Sequence, residues 1–288
     1  MTFDAEVTLS ADLLAVVLAR EFVAAALDGM RTLAVTGPLS LAAGLLARST
    51  GASRLSLAPG FCTLDAEVRP AISLGEWATG GGASVRGTIA DTFGLLARGR
   101  AGVAVSPAQI DGRGATNLSR VGGSDERPAL ALPGSRGLPE NNDSPSMVAY
   151  LVADHSPRRL VAEVDFVSGP PPSPGRRRVL VSPLGVFDLL ADRGFVARSL
   201  SAGTTPTEVA ERTGFAIAIA PDVPVTSEPS PLELDALARV DPDGLRFLEA
   251  PSGADVASLV SRVREREAEE LAAAARLGSG ARQSRRLA

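Results

Sequence analysis

The sequence predicts an α/β protein with a mainly parallel sheet flanked by helices. Short apolar runs of strand length alternate along the chain with stretches of helical periodicity. Because strands joined by helices pair in parallel, this alternation favours a parallel sheet. The composition is globular, with 45% hydrophobic and 22% charged residues, and 288 residues suffice for one large domain or two small ones.

The first half of the chain carries the clearest alternation. Ser10 is a candidate N-cap, and apolar residues then recur at helical spacing until Gly29. The elements predicted next are a strand over 32–36, a helix over 39–48, a strand over 54–58, a helix over 86–98 and a strand over 101–105. Residues 59–85 read as irregular. Their triple glycine, 80–82, favours a flexible turn over a phosphate cradle, because no P-loop pattern surrounds it.

The second half begins with an Asp-Gly-Arg-Gly turn between two extended pieces within residues 106–119. The elements predicted after it are a helix near 144–153, a strand over 159–168, a proline-rich connector over 169–178, strand and turn over 179–190, and helices over 206–212, 232–239 and 255–277. Two charged groups leave alternatives open. Glu163 and Asp165 share one face of the predicted strand and suit either acid–base work or solvation. The arginines 176–178 suit either phosphate binding or an exposed turn.

Composition excludes several functions. The net charge of −4 gives no electrostatic basis for binding nucleic acid. All basic residues are arginine, so no lysine can form a Schiff base. One cysteine, Cys62, and one histidine are too few for a disulfide or a typical zinc site, so we expect no metal and a reducing, cytoplasmic location. The apolar stretches 13–27 and 32–47 are too charged or too short to span a membrane, and we expect no signal peptide.

Residues 131–143 form the most informative loop of the sequence. Gly134 and Gly137 permit positive φ and close approach to a ligand, while Pro133 and Pro139 interrupt regular structure. A loop that exposes several backbone N–H groups can hold an anion or a developing oxyanion. By itself, the pattern is more often an ordinary surface turn.

Several segments together resemble the β subunit of two-subunit family I CoA-transferases, such as glutaconate CoA-transferase. The segments are Ala108–Asn117, Gly134–Gly137, Glu163–Ser168, Leu184–Asp188 and Gly203–Phe215, in the order of the family, and the similarity extends from about residue 8 to about residue 250. The resemblance implies a NagB/RpiA/CoA-transferase-like fold over residues 1–250, followed by a charged helix and a disordered tail over 251–288. It also implies a separately encoded α-subunit partner, in a heterodimer or heterotetramer, and an active site between the subunits.

One position departs from the transferases. They carry a catalytic glutamate in a short Glu-Ser-Gly or Glu-Asn-Gly motif, where this chain has Leu57-Ala58-Pro59-Gly60. Ala58 therefore replaces the family glutamate and supplies no nucleophile. Asp65 or Glu67 could replace the missing glutamate only if the catalytic carboxylate could be supplied from several residues downstream. Active sites rarely tolerate such a displacement.

A branch of the family that opens a steroid ring in a CoA-linked cyclic dione also lacks this glutamate. Its Gly-x-Arg-Gly-x-Pro-x-Asn loop is similar to residues 134–141 here, and His155 followed by two arginines also resembles that branch. In that branch the working carboxylate comes from the α subunit. The resemblance therefore implies hydrolytic, retro-Claisen cleavage of an acyl-CoA or a related biosynthetic reaction. The alternatives are a true CoA-transferase and a non-catalytic scaffold subunit.

The resemblance also assigns candidate site residues. The oxyanion and substrate pocket comprises Gly134, Ser135, Arg136, Gly137, Asn141 and Asn142, and the pocket-lining residues are Gln109, Asp111 and Asn117. No residue of this chain is assigned a certain catalytic role. No permanent cofactor is expected, since coenzyme A enters as part of the substrate.

Overall fold

The computed structural model describes residues 5–59, 63–64, 83–135, 137–249 and 256–284. Several residues discussed above lie outside these ranges, namely Cys62, Asp65, Glu67, the triple glycine, Arg136 and the last four residues of the predicted tail. Among the helices that these ranges contain, none is long and apolar enough to cross a membrane.

A seven-stranded sheet forms the centre of the described structure. The strands are β1 (Thr32–Val35), β2 (Ser56–Pro59), β3 (Thr63–Leu64), β4 (Val85–Arg86), β5 (Ala101–Val105), β6 (Gln109–Ile110), β7 (Thr116–Asn117), β8 (Arg120–Gly123), β9 (Pro128–Ala131), β10 (Met147–Leu151), β11 (Arg177–Ser182), β12 (Gly185–Leu190) and β13 (Gly194–Leu200). The sheet has the order β13-β12-β11-β10-β5-β1-β2. The pairings from β2 to β11 are parallel, and β12 and β13 extend the sheet as antiparallel strands. The prediction of a mainly parallel sheet is confirmed.

Helices cover both faces of this sheet. They are α1 (Ala5–Leu27), α2 (Pro38–Thr50), α3 (Ile89–Ala97), α4 (Leu138–Asp143), α5 (Pro206–Glu211), α6 (Pro231–Val240) and α7 (Val256–Ser284), with a 3-10 helix over Leu245–Glu249. One core joins α1, α2 and α6 to alternate strand residues such as Leu33 and Val35. The opposite core joins α3 to the intervening residues, such as Ala34 and Tyr150. Burial on both faces explains why the central strands are continuous apolar runs.

Most predicted elements are present close to their expected bounds. Strand β5 has the predicted limits, and β1, α2 and β2 differ from theirs by one or two residues. Gly29 adopts φ of 104° just after α1, as its role as a stop signal requires. The side chain of Thr205 accepts a hydrogen bond from the backbone N–H of Glu208 and so begins α5 as predicted.

Two predicted elements are wrong. Residues 147–151 form the central strand β10 and not a helix, because a fully buried apolar run has no periodicity to separate the two states. Residues 159–168 form no strand beyond one isolated bridge between Leu160 and Ile110. The alternation of Glu163 and Asp165 therefore does not put them on a strand face; Asp165 instead turns back towards Gln109.

Two helix ends also differ from prediction. Helix α1 starts five residues before Ser10, whose hydroxyl lies inside the helix with no hydrogen-bond partner among the described residues and so does not cap it. Packing of α1 against α2 and the sheet outweighs this local start signal. Helix α7 continues to Ser284, beyond the predicted end near residue 277.

Candidate functional site

The path of the chain places a crevice between β1 and β5. From β1 the chain crosses through α2 to β2 on one side, and it later returns through α3 to β5 on the other side of β1. Helices α2 and α3 belong to opposite faces of the sheet. In open α/β sheets ligands bind outside the carboxyl ends of the strands at such a switch point. Polar groups that follow β1 and β5 are therefore candidates for the site.

A β-hairpin follows β5 at this end of the sheet. Strands β6 and β7 pair with Gln109 opposite Asn117. The fully buried carboxylate of Asp111 accepts hydrogen bonds from the backbone N–H groups of Arg113 and Ala115, at 2.9 and 3.0 Å, so it closes the predicted turn. Asp111 therefore stabilises the turn of this hairpin.

Buried amides at the base of the hairpin form a network with Asp165. The side-chain N–H of Asn117 donates to the side-chain oxygen of Gln109 at 2.7 Å, and the side-chain N–H of Gln109 donates to Asp165 at 3.1 Å. The same Asp165 oxygen accepts the backbone N–H of Gly122 at 2.9 Å. The two candidate pocket-lining amides are therefore together, and the structure adds Asp165, which sequence analysis placed on a strand.

The glycine loop lies against this hairpin. Both Gly134, with φ of 97°, and Gly137, with φ of 91°, use the positive φ that the sequence suggested. The backbone N–H of Gly134 donates to the carbonyl of Leu118 at 2.9 Å, which occupies one of the donors expected for an oxyanion. A Cβ on Gly137 would lie 2.5 Å from the ring of Phe93, so α3 can approach the loop only at a glycine. Ser135 is partly buried.

The two asparagines after the loop have different environments. The side chain of Asn142 is fully buried; its amide N–H groups donate to the carbonyls of Gly114 and Pro170, at 2.9 and 2.5 Å, and its oxygen accepts the Tyr150 hydroxyl at 2.6 Å. Asn141 is 2% exposed, yet its side-chain oxygen has no hydrogen-bond partner within the described ranges. A buried amide oxygen without a donor is costly, so Asn141 is a candidate to accept a hydrogen bond from a ligand or partner subunit. Asn142 anchors the loop.

The arginine cluster is engaged inside the protein. The guanidinium of Arg178 donates to the backbone carbonyls of Asn142, Asp143, Pro145 and Arg177 at 2.6 to 3.1 Å and so stabilises the end of α4. Arg177 forms an ion pair with Glu21 at 2.7 Å. These contacts favour a structural role for both arginines over phosphate binding.

His155 is a buried neutral side chain. Its ring nitrogens contact the hydroxyls of Ser182 and Thr213 at 2.7 and 2.9 Å. Burial, together with the positive charge of Arg212, lowers the pKa of His155 to about 4. The ring is fully hydrogen-bonded and inaccessible, so it can order the structure near α5 but cannot exchange protons with a ligand.

Sequence analysis missed one carboxylate at the crevice. Glu249, at the end of the 3-10 helix, accepts the backbone N–H of Leu39 at 2.7 Å and the Ser106 hydroxyl at 3.3 Å. Burial raises the pKa of the Glu249 carboxyl. Glu249 follows a charged, proline-rich stretch, and no sequence motif around it could have identified it as a site residue. In the described ranges, no three His, Cys, Asp or Glu side chains come close enough to hold a metal ion.

Ala58 lies at the end of β2, buried and paired with Ala34 of β1. Its methyl group belongs to the apolar core that also contains Leu96 of α3. The position that the resemblance assigns to the family glutamate thus offers no polar atom to the crevice.

Comparison with known proteins finds relatives with several activities. The cholesterol ring-cleaving hydrolase IpdB subunit of Rhodococcus jostii is 37% identical over 169 residues, which cover 54% of this chain and 66% of that protein. One subunit of the 3-oxoadipate CoA-transferase of Pseudomonas knackmussii is 29% identical over 147 residues, which cover 46% of this chain and 56% of that protein. The aligned segments thus span less than two thirds of these curated relatives. A scan against protein-family models finds no match.

Similarity to solved structures covers more of the chain. The decarboxylase AibA/AibB superimposes with a TM-score of 0.75 at 30% identity, over 84% of this chain and 99% of the other. The IpdAB structure from Rhodococcus jostii superimposes with a TM-score of 0.71 at 30% identity, over 84% of this chain and 98% of the other.

Proposed function

The chain belongs to the family of β subunits of family I CoA-transferases and their relatives, and on that basis we propose that it is the β subunit of a heteromeric acyl-CoA hydrolase. The proposed reaction is the hydrolytic cleavage of a carbon–carbon bond in a CoA-linked β-dicarbonyl compound. Coenzyme A enters as part of the substrate, and the catalytic glutamate comes from an α subunit. The single cysteine supports a reducing, cytoplasmic compartment for this enzyme.

The observation that carries this proposal is Ala58. A transferase of this family needs a carboxylate to attack the acyl-CoA, and the position that the resemblance assigns to it here is a buried methyl group in the apolar core. Hydrolysis needs no such covalent intermediate, because water can be the nucleophile. The ring-cleaving relative is also more similar in sequence than the transferase relative, at 37% against 29% identity.

In the proposed mechanism the α-subunit glutamate removes a proton from water while the water oxygen bonds to a ring carbonyl carbon. The resulting alkoxide collapses, the adjacent carbon–carbon bond breaks, and its electron pair becomes an enolate that takes up one proton. Backbone N–H groups of the loop from Ser135 to Gly137, with Arg136, stabilise the oxyanion. The unpartnered side-chain oxygen of Asn141 accepts a hydrogen bond from a hydroxyl or N–H group of the substrate or of the α subunit. The amides of Gln109 and Asn117 hold this side of the pocket in shape.

The α subunit is proposed to cover the face beside the amide network. Phe166 and Val167 directly follow Asp165 and are 38% and 51% exposed, and Leu130 on the neighbouring hairpin is 55% exposed. Exposed apolar side chains around buried polar groups are typical of a protein interface. Either a heterodimer or a heterotetramer would bury them.

The test uses the chain purified in complex with the α subunit encoded beside it. The probe is a CoA thioester whose acyl chain ends in a cyclohexane-1,3-dione ring, and mass spectrometry follows the gain of one water on ring opening. We expect ring opening by the complex and a loss of about 100-fold in kcat/KM for Arg136→Ala, the size typical of a lost oxyanion donor. The matched control is Arg193→Ala, which removes an arginine whose ion pair in the described part of the chain is with the exposed Asp192.

Three results would overturn the proposal. Borohydride trapping of a glutamyl– or aspartyl–CoA thioester on this chain would favour a true CoA-transferase that uses a displaced carboxylate such as Asp65 or Glu67. Unchanged activity of an assembled Arg136→Ala complex would favour a scaffold subunit. A complex that joins rather than cleaves a carbon–carbon bond would assign the same site to a related biosynthetic reaction.

A further inference from the structure

The carboxylate of Glu249 occupies the switch point between β1 and β5. Leu39, whose backbone N–H it accepts at 2.7 Å, lies in the first turn of α2, directly after β1. Ser106, whose hydroxyl donates to it at 3.3 Å, directly follows β5. The carboxylate therefore lies between the ends of the two strands where the crossover direction reverses, which is where ligands bind in such sheets.

Gly37 leaves the space that this carboxylate fills. A Cβ at Gly37 would lie 2.4 Å from one carboxylate oxygen of Glu249 and 2.7 Å from the other. Gly37 has an extended backbone, with φ of −158°, so its conformation does not require glycine. The close approach of the carboxylate is what excludes a side chain here.

The hairpin that follows β5 lies between Glu249 and the glycine loop in the path of hydrogen bonds and chain connections. Ser106 begins the segment that leads into Gln109, and Gln109 accepts the side-chain N–H of Asn117 at 2.7 Å. The residue after Asn117, Leu118, accepts the backbone N–H of Gly134 at 2.9 Å. Ala58 lies on the adjacent strand, in register with Ala34 and close to the carboxyl end of β1. Glu249 thus brings a carboxylate from the distant end of the chain to the edge of the sheet where Ala58 offers none.

Burial of the Glu249 carboxyl favours its protonated acid form. Among the described residues, Arg159 is the cation that faces it from another element, and it offsets only part of the effect of burial, so the pKa of the Glu249 carboxyl is raised. Arg246 on the same 3-10 helix is neutralised by ion pairs with Asp12 and Asp241, at 2.7 and 2.8 Å. As a whole residue, Glu249 is partly exposed.

We propose that Glu249 is the acid–base residue that this chain contributes to the reaction, in place of the carboxylate absent at Ala58. The proposal rests on the proposed function and deepens it. When the carbon–carbon bond of the substrate breaks, its electron pair forms the enolate, and the protonated carboxyl of Glu249 transfers its proton to the enolate carbon. Glu249 is left as a carboxylate and regains a proton through solvent from the α-subunit glutamate, which took a proton from the attacking water. One water is consumed, and both acids return to their starting states.

The test compares two ways of removing the acid. Glu249→Gln keeps the size of the side chain and an oxygen for the N–H of Leu39 but cannot donate a carboxylic proton. Gly37→Ala keeps every ionisable group but displaces the Glu249 carboxylate from its position. This variant provides the test if Glu249→Gln does not fold. The matched control is Glu233→Gln in α6, which removes a carboxylate that likewise accepts a backbone N–H at a helix start, that of Ser230 at 2.8 Å.

Ring opening of the cyclohexane-1,3-dione probe by the assembled complex is measured from pH 5 to pH 9. We expect kcat to fall by about 100-fold or more in both variants, the usual contribution of a general acid. We also expect the alkaline fall of the wild-type rate, which reports deprotonation of the acid, to disappear in Glu249→Gln and to persist in Glu233→Gln. A structural role alone would lower the melting temperature and leave the shape of the pH profile unchanged.

The outcomes separate this proposal from the one on which it rests. A wild-type complex that opens the ring, with Glu249→Gln within about threefold of it or with an unchanged pH profile, overturns the role of Glu249 and leaves the proposed function intact. A wild-type complex that does not open the ring overturns the proposed function and the role of Glu249 with it. A large loss in both crevice variants with loss of the alkaline limb supports both.

Discussion

Lowering the pH should destabilise this protein through its single histidine. His155 is fully buried, and both of its ring nitrogens have hydroxyl partners. The Thr213 hydroxyl donates to the carbonyl of Val209 at 2.7 Å, so it must accept from the ring Nε2–H. The Ser182 hydroxyl can then donate to Nδ1. Every polar atom of the neutral ring is satisfied, and a second ring proton would have no acceptor assigned to it.

The size of the effect follows from the pKa of His155. Burial, followed by the charge of Arg212, lowers this pKa to about 4 from the ordinary value of 6.5, and Asp154 offsets part of the shift. Because the folded-state pKa is the lower one, the unfolded chain takes up the proton first. The stabilising contribution is therefore fully present above pH 6.5 and is lost as the pH falls towards 4. Linkage gives a loss of about 2 kcal/mol in the free energy of unfolding between pH 7 and pH 5.

Two carboxyl groups must be separated from this effect. The pKa of Glu233 is lowered to about 2, chiefly by its hydrogen bond with Arg20, so its contribution is lost only below about pH 4.5. The pKa of Glu249 is raised, so protonation of this group favours the folded state as the pH falls and opposes the effect of His155. A histidine variant removes only the contribution of His155.

The assay combines NMR with unfolding by urea. Since the chain has one histidine, the Cε1–Hε1 correlation of His155 is a single signal, and we expect its midpoint near pH 4 in the folded state and near 6.5 in urea. The wild-type chain should lose more stability between pH 7 and pH 5 than His155→Gln does. A folded-state midpoint near 6.5, or equal losses in the two proteins, would refute the assignment of a buried neutral ring.

Two further predictions concern the glycine loop. Tyr150→Phe should lower the free energy of unfolding by about 1–3 kcal/mol, because the buried oxygen of Asn142 loses its hydroxyl donor. Unfolding in urea measures this change. A change below about 0.5 kcal/mol would mean that another donor replaces the hydroxyl. Gly137→Ala should destabilise the fold by about 1–3 kcal/mol because Gly137 has positive φ, and the added Cβ should also displace the ring of Phe93. Gly134 also has positive φ, but an added Cβ would have no atom within 4 Å, so Gly134→Ala should show the backbone strain alone. Equal melting temperatures for the two glycine variants would show that the contact with Phe93 can relax.

The sequence predicted the fold where local pattern and burial agree. Strands β1 and β5, helix α2 and the start of α5 have local signals that match their places in the sheet. The failures occur where local pattern is silent or misleading. The apolar run over residues 147–151 could not be distinguished from a helix by its pattern, yet it forms a strand. The alternation around Asp165 predicted a strand, yet this residue lies in a loop whose carboxylate accepts a hydrogen bond from Gln109.

The candidate site was predicted as a set of residues but not as a set of roles. Gln109, Asn117, Asn141 and Asn142 are all buried near the glycine loop. Only the structure distinguishes Asn142, which anchors the loop through the hydroxyl of Tyr150, from Asn141, whose amide oxygen has no partner within the described ranges. Hydrogen-bond partners separated by many residues leave no trace in local sequence.

The sequence by itself determined the α/β class, the family resemblance and the absence of a glutamate at Ala58, because each depends on residue identity and order along the chain. Tertiary structure alone decided that a carboxylate nevertheless reaches the end of β1. Glu249 lies more than 200 residues from Gly37 and Leu39, and the 3-10 helix that carries it is positioned by packing against α1 and α2. The switch point is a property of strand order, and strand order is fixed by long-range hydrogen bonding and burial.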